Sequence, residues 1–224
     1  MLPCGAYVTL EHEWILVFRK GSKRNYKEEE KKVRRESSFF WEERNKWFSD
    51  VWEIKGVKQT INNSKTRERN ASFPFEIPFR LINMYSQQGD TILDPFCGLG
   101  TTTVAAMLTG RNSIGVEIDV ALRPLIQENV GEADIDAMNT FIYKRYKNHL
   151  MFVREREETG KEVKYENTNL KCKVMTSQEV DISFYYLDEI IQHHGDVLSY
   201  DCTYQTDVAI TEFISKNKTS LFCK

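Results

Sequence analysis

Residues 91–119 read TILDPFCGLGTTTVAAMLTGRNSIGVEID, and this stretch decides the fold. Thr91, Ile92 and Leu93 form a short apolar β-branched run ending on Asp94, the pattern of a strand. Gly98 and Gly100 supply the positive φ of a tight turn, and 101–108 continues as a helix with small residues on one face. Gly110 stops that helix. Ser113, Ile114, Gly115 and Val116 read as a second, buried strand with Glu117 and Asp119 at its carboxyl end. Strand, glycine loop, helix and strand make a βαβ unit, and such units gather ligands at the carboxyl edge of their strands.

The chemistry of the loop narrows the ligand. Glu117 follows Gly98 by 19 residues, close to the spacing of about 20 at which an acid accepts both hydroxyls of a ribose. A dinucleotide fits poorly. The run Gly98-Leu99-Gly100-Thr101-Thr102-Thr103 lacks the third glycine of that fingerprint, and Asp94-Pro95-Phe96-Cys97 sets an acid and an aromatic ahead of it. A carboxylate there repels a pyrophosphate and attracts an ammonium. S-adenosylmethionine, with an ammonium, a sulfonium, a ribose and an adenine, suits two flanking acids better.

These residues carry a family resemblance. Asp94-Pro95-Phe96-Cys97-Gly98-Leu99-Gly100-Thr101-Thr102, followed by Gly115-Val116-Glu117-Ile118-Asp119, resembles the S-adenosylmethionine loop of DNA methyltransferases that modify exocyclic amino groups, cytosine N4 or adenine N6. The resemblance covers roughly residues 8–120. It implies an α/β fold, a partial Rossmann-like methyltransferase sheet with a small α+β carboxyl-terminal extension. It also implies S-adenosylmethionine as cofactor, double-stranded DNA as partner and a place in restriction-modification. The cofactor residues it implies are Asp94, Phe96, Cys97, Gly98, Gly100, Thr101, Thr102, Glu117 and Asp119. Phe73 and Pro74 join them, from a Phe-Pro-x-Glu-x-Pro run that matches the segment closing over the methionine part of the cofactor. A histidine that often precedes this phenylalanine is missing, with Arg69 and Asn70 nearby instead. The run from His12 to Lys20 is similar to a late strand of the catalytic half, and Ser49-Asp50-Val51-Trp52 to a strand preceding the variable recognition segment.

One part of the family pattern is absent. Amino methyltransferases of this kind need Asp, Ser or Asn followed by Pro-Pro and an aromatic. The exocyclic nitrogen's lone pair is delocalised into the ring, so acceptors must hold its N–H groups and aim it at the methyl group, while the aromatic stacks on the extruded base. The five prolines here, Pro3, Pro74, Pro78, Pro95 and Pro124, include no adjacent pair. No catalytic residue is therefore assigned. In the permuted order the motif lies upstream of His12, so the chain reads as the carboxyl-terminal part of a methyltransferase, with cytosine N4 preferred to adenine N6. A cofactor- or DNA-binding half of a split enzyme, completed by an upstream polypeptide, is the second reading. A methyltransferase of RNA or a small molecule is the third.

Composition sets the wider bounds. A chain of 224 residues, 41% hydrophobic and 29% charged, can hold one core with a small appendage. No run approaches the ~18 apolar residues of a membrane span, and the default compartment is cytoplasm. Five scattered cysteines without a Cys-x-x-Cys pair read as free thiols, and no metal site is expected. The net charge of −2 hides an asymmetry: residues 1–70 hold 16 Lys and Arg against 11 Asp and Glu. Within them Lys23, Arg24, Lys31, Lys32, Arg34 and Arg35 surround Glu28-Glu29-Glu30, either as a solvated helix or as a DNA contact. Phe39, Phe40, Trp41 and Trp47 read as core or as base-stacking aromatics.

The remaining pattern predicts strands at 6–10, 14–18 and 49–54. A helix runs from the Pro78 turn to about Gln88, with Phe75, Phe79, Ile82 and Tyr85 on its apolar face. Helices follow at 121–130 and 134–158, the second with Met138, Ile142, Tyr146 and Leu150 inward, then a stop at Gly160 and a helix at 187–193 ending on His193-His194. The expected organisation is a methyltransferase core over 1–130 and a helical and α+β extension over 131–224. The core divides into catalytic-half strands at 1–20, a DNA-recognition segment at 21–70 and a cofactor half at 71–130.

Overall fold

The computed structural model describes residues 12–56 and 73–205. The expected strand at 6–10 and the loop residues Arg69 and Asn70 lie outside these. From 12 to 27 the backbone forms no helix or strand, and the strand expected at 14–18 is absent. Trp14, Leu16 and Phe18 are 83%, 71% and 86% exposed. The strand expected at 49–54 is absent too, with Val51 exposed. β-rich composition fits a pleated surface but does not make one, and among the described residues neither run has a neighbouring strand to take its N–H and C=O groups.

Between them lie α1, Glu28–Glu36, and α2, Trp41–Trp47. Helix α1 opens on three glutamates and closes on Arg34 and Arg35, the charge order its dipole favours. The carboxylate of Glu30 accepts from the Lys27 N–H at 2.8 Å, and Glu43 does the same for Phe40 ahead of α2. Phe40 and Trp47 are buried, so these two aromatics belong to the core.

Helix α3, Glu76–Tyr85, carries Pro78 in its first turn, where no intrahelical N–H is needed. Phe79, Ile82 and Asn83 are buried, but Tyr85 is 60% exposed and the helix ends there rather than at Gln88. At about 100° per residue Tyr85 falls roughly 80° away from Phe75 around the helix. The chain then enters β1, Thr91–Asp94, crosses over through α4, Thr101–Leu108, and returns as β2, Asn112–Gly115. The strands pair in parallel, Thr91 opposite Asn112 through Asp94 opposite Gly115. Helix α4 packs on one face of this pair, and Ala105, Ala106, Met107 and Leu108 are buried among the strands, α3 and the rest of the core. The expected burial of β2 fails on the other face, where Leu93 and Ile114 are 63% and 55% exposed, no helix of the described residues covering them.

Residues 120–131 are helical, a 3₁₀ turn and a π turn flanking α5, Arg123–Ile126. The long helix α6, Ile135–Glu158, is capped by Asp134, whose carboxylate accepts from the Ala137 N–H at 2.9 Å. Met138, Ile142 and Tyr146 are inward as predicted, but His149 is buried in place of Leu150. A spacing of four drifts off a 3.6-residue turn, and by the fourth position the inward site falls one residue earlier. Two antiparallel pairs complete the chain: β3, Tyr165–Glu166, with β4, Lys173–Val174, and β5, Tyr186–His193, with β6, Ser199–Gln205. The segment expected as a helix at 187–193 is therefore a strand. The Asn139 side chain fixes its start by accepting from the Leu187 N–H and donating to the Leu187 carbonyl, at 2.9 and 2.8 Å. His193 sits on that strand beside Asp201 and not at a helix end.

One core, including Phe40, Phe79, Met107, Ile142, Val174 and Leu187, joins residues on both sides of position 130. At its centre the fully buried His149 ring stacks on Phe40, with centroids 3.7 Å apart. Nδ1 of His149 lies 2.8 Å from Glu42, and Nε2 lies 2.8 Å from the Lys173 carbonyl, which can only accept. Burial opposes the charged ring, but hydrogen bonds with the Cys172 and Glu42 side chains prevail and raise its pKa to about 10. The stability this pair contributes is complete below the unfolded-state pKa of about 6.5 and is lost as pH rises towards 10. Chemical denaturation of wild type and Glu42→Gln should differ by on the order of 3 kcal/mol near pH 6, with the gap shrinking by pH 10. A gap constant across that range would show the pair to be neutral.

Candidate functional site

The parallel register places the ends of β1 and β2 side by side, about 4.8 Å apart, and the ladder continues past them. Val116 N–H donates to the Asp94 carbonyl at 2.8 Å, and Cys97 N–H donates to the Val116 carbonyl at 2.9 Å. The turn after β1 is thereby held against the strand that follows β2. Asp94 and Glu117 point to the same side of this edge, since Asp94 pairs with Gly115 and Glu117 lies an even step beyond.

Each carboxylate also shapes its own turn. Asp94 accepts from the Phe96 N–H at 3.0 Å. Glu117 bridges the two loops, accepting from the Gly98 N–H with one oxygen and the Asp119 N–H with the other, both at 2.9 Å. Asp119 in turn caps the following 3₁₀ turn through the Ala121 N–H. A carboxylate oxygen keeps a second lone pair after one such bond, so Glu117 retains acceptor capacity. Gly98 and Gly100 take φ of 55° and 83°. A side chain at Gly100 would also collide with Val130, whose methyl lies 2.5 Å from the Cβ position.

Asp94, Cys97, Gly98, Gly100, Thr101, Thr102, Glu117 and Asp119 thus converge on one edge, with Phe96 beside them at 86% exposure. Phe73 and Pro74 precede helix α3, which packs on α4, and among the described contacts none joins them to this edge. Sequence reading gave no role to Val130 and Asn129, which back the loop: Val130 closes on Gly100, and the Asn129 amide donates to the Leu99 carbonyl. Only the apolar pattern of 121–130 hinted at the first.

The edge is electronegative. Burial pushes the Cys97 thiol up, and the carboxylates of Asp94 and Glu117 push it further, so it stays protonated at neutral pH. A narrow cleft lies at the opposite end of α4, beside Gln88, Thr109, Arg111 and Arg145, away from these groups. Of the six basic residues named as a DNA contact, five are engaged within the chain. Arg24 binds both oxygens of Asp90 at 2.9 and 3.0 Å, Lys31 pairs with Glu28, Lys32 with Glu36 and Arg35 with Asp181. Arg34 lies over the Tyr26 ring. Among the described residues no cluster of His, Cys, Asp and Glu could hold a metal, and no helix is long and apolar enough to cross a membrane.

The chain is similar in sequence to known proteins. A curated relative, the type II methyltransferase M.MthZI of Methanothermobacter thermautotrophicus, is 52% identical over 188 residues, 83% of this chain and 51% of its own. M.MjaI of Methanocaldococcus jannaschii is 55% identical over 130 residues, 58% of this chain and 42% of its own. The chain spans about half the length of these relatives. A crystal structure of a DNA modification methylase from Thermus thermophilus, complexed with S-adenosyl-L-methionine, matches half of the chain, covering 39% of its own, at 30% identity and a TM-score of 0.38. The sequence pattern of the N6/N4 DNA methylase family matches residues 3–128, and the chain belongs to that family.

Proposed function

We propose that this chain is the cofactor half of a DNA methyltransferase that moves a methyl group from S-adenosylmethionine to the exocyclic N4 of cytosine in duplex DNA. The observation that supports this best is the pair of carboxylates, Asp94 and Glu117, at the ends of adjacent parallel strands across a glycine loop. Their chemistry fits the donor. An electronegative edge suits a molecule with an ammonium and a sulfonium, and Glu117 keeps lone pairs for ribose hydroxyls. When bound, the donor supplies an electrophilic methyl group.

The roles of this chain's residues follow. Asp94 holds the amino-acid tail and Glu117 the sugar, while Gly98, Gly100, Thr101 and Thr102 let the backbone approach. Phe96 and Phe73 exclude water from the two sides, with Pro74 and Cys97 fixing the backbone, and Asp119 keeps Glu117 in place. For DNA we assign Lys23 and Arg34, since Arg24, Lys31, Lys32 and Arg35 are spent in ion pairs. Cytosine N4 over adenine N6 rests on the likeness of the loop and its flanks. Orientation of the amino group falls to the Pro-Pro-aromatic motif, which this sequence does not contain.

Titration calorimetry with S-adenosylmethionine tests the site. Asp94→Asn should weaken binding about tenfold, the loss of one charged hydrogen bond, and Glu117→Ala should weaken it at least as much. Unchanged affinity in both variants overturns the assignment. Duplex DNA incubated with the purified chain and labelled donor should gain no methyl groups. Addition of the portion of M.MthZI that this chain does not match should give N4-methylcytosine by nucleoside mass spectrometry, and N6-methyladenine in its place would transfer the specificity to adenine.

A further inference from the structure

Three glycines at the strand edge are glycine for different reasons. Gly98 takes a φ of 55°, and the place of its missing Cβ is open, with the Phe96 carbonyl 4.0 Å away. Gly100 combines a φ of 83° with the Val130 methyl 2.5 Å from its Cβ position. Gly115, the last residue of β2, does not take a positive φ. Its constraint is space alone. A Cβ there would stand 2.6 Å from the Cys97 Sγ and 3.1 Å from the Cys97 Cβ, inside the roughly 3.5–4.0 Å of an ordinary carbon contact. Glycine weakens a strand interior, so β2 taken by itself would favour alanine at this position.

Cys97 is not free to step aside. Its thiol is buried and shares a hydrogen bond with the Thr103 hydroxyl. Its N–H donates to the Val116 carbonyl, and its carbonyl accepts from the Gly100 N–H, both at 2.9 Å. The next residue, Gly98, donates to Glu117. Any shift of Cys97 away from β2 therefore carries Gly98 and Gly100 with it and changes their distance from Glu117. We propose that Gly115 and Cys97 are a matched pair of positioning residues, in which the bare backbone of Gly115 seats the Cys97 side chain and the depth of that seat sets how closely the glycine loop approaches Glu117. The pair acts through Gly98, Gly100 and Glu117, and its effect on a methyl donor rests on the reading of this edge as the S-adenosylmethionine site.

The test measures S-adenosylmethionine affinity by calorimetry and the amide exchange of Cys97 and Gly100 by NMR, on the same samples of the full chain. Gly115→Ala should weaken donor binding about tenfold, within the range that one methyl group too many costs in a packed site, and should speed exchange at both amides. Adding Cys97→Ala removes the Sγ from the seat, and the double variant should return to within about threefold of wild type in affinity and protection. That recovery separates positioning from general stability, because deleting a buried Sγ costs stability and would make a merely destabilised variant worse. Gly100→Ala should gain nothing from Val130→Ala, since the positive φ remains. Unchanged affinity and exchange in Gly115→Ala, a double variant no better than the single one, or equal rescue at Gly100 would each overturn the matched pair. If Gly115→Ala does not fold, the double variant must fold and bind, and its failure to do so overturns the pair as well. Absence of donor binding by wild type, with exchange still raised in Gly115→Ala and restored in the double variant, would remove the methyltransferase reading and leave the pair standing.

Discussion

The parallel register of β1 on β2 is the constraint on which the rest depends. Asp94 opposite Gly115 lets the Val116 N–H reach the Asp94 carbonyl and the Cys97 N–H reach the Val116 carbonyl, and only then can Glu117 accept from Gly98. A slip of one residue would turn Ile114 towards α4 and carry Glu117 to the opposite face. Parallel pairing also demands a crossover, which α4 provides, and the crossover demands a sharp exit from β1, which Gly98 and Gly100 permit. Site and fold are thus one piece of backbone here.

That piece was legible in the sequence because every signal within it is local. The β-branched run, the glycines, the small-residue helix and the acids lie within thirty residues, and their spacing alone specifies strand, turn and edge. Misread elements depend on distant partners. Residues 14–18 and 49–54 have strand composition and, among the described residues, no strand beside them, while 187–193 reads as helical in sequence and pairs with β6 in the fold. His149 was hidden for another reason. Its signal was a polar residue on an apolar helix face, and its partners Glu42 and Lys173 come from two other parts of the chain.

Some of the basic residues before the glycine loop hold the chain together. Residues 21–47 are rich in cations, yet Arg24 and Arg35 serve as straps. Arg24 ties the segment to Asp90 at the entry to β1, and Arg35 ties it to Asp181 ahead of β5. Arg145 does similar work more deeply, with two hydrogen bonds to Glu43 at 2.6 and 2.8 Å and its guanidinium over Phe184. Bidentate pairs of low exposure fix geometry more than they attract a polyanion.

The extension after position 130 is more than an appendage. It supplies α6, the β5–β6 hairpin and a large share of the core that backs α4: the Tyr204 hydroxyl donates to the Met107 carbonyl, and Tyr200 lies against Gly131. The match to M.MthZI runs over 188 residues, too many to lie within the 3–128 covered by the family pattern. That relative therefore matches part of the extension as well. Helix α4 starts at the glycine loop, so whatever fixes its far end also fixes the angle at which Gly100 and Thr101 meet the strand edge. Packing at Met107 and Leu108 thereby sets the shape of the loop by rigid-body constraint, without touching any residue of the edge itself.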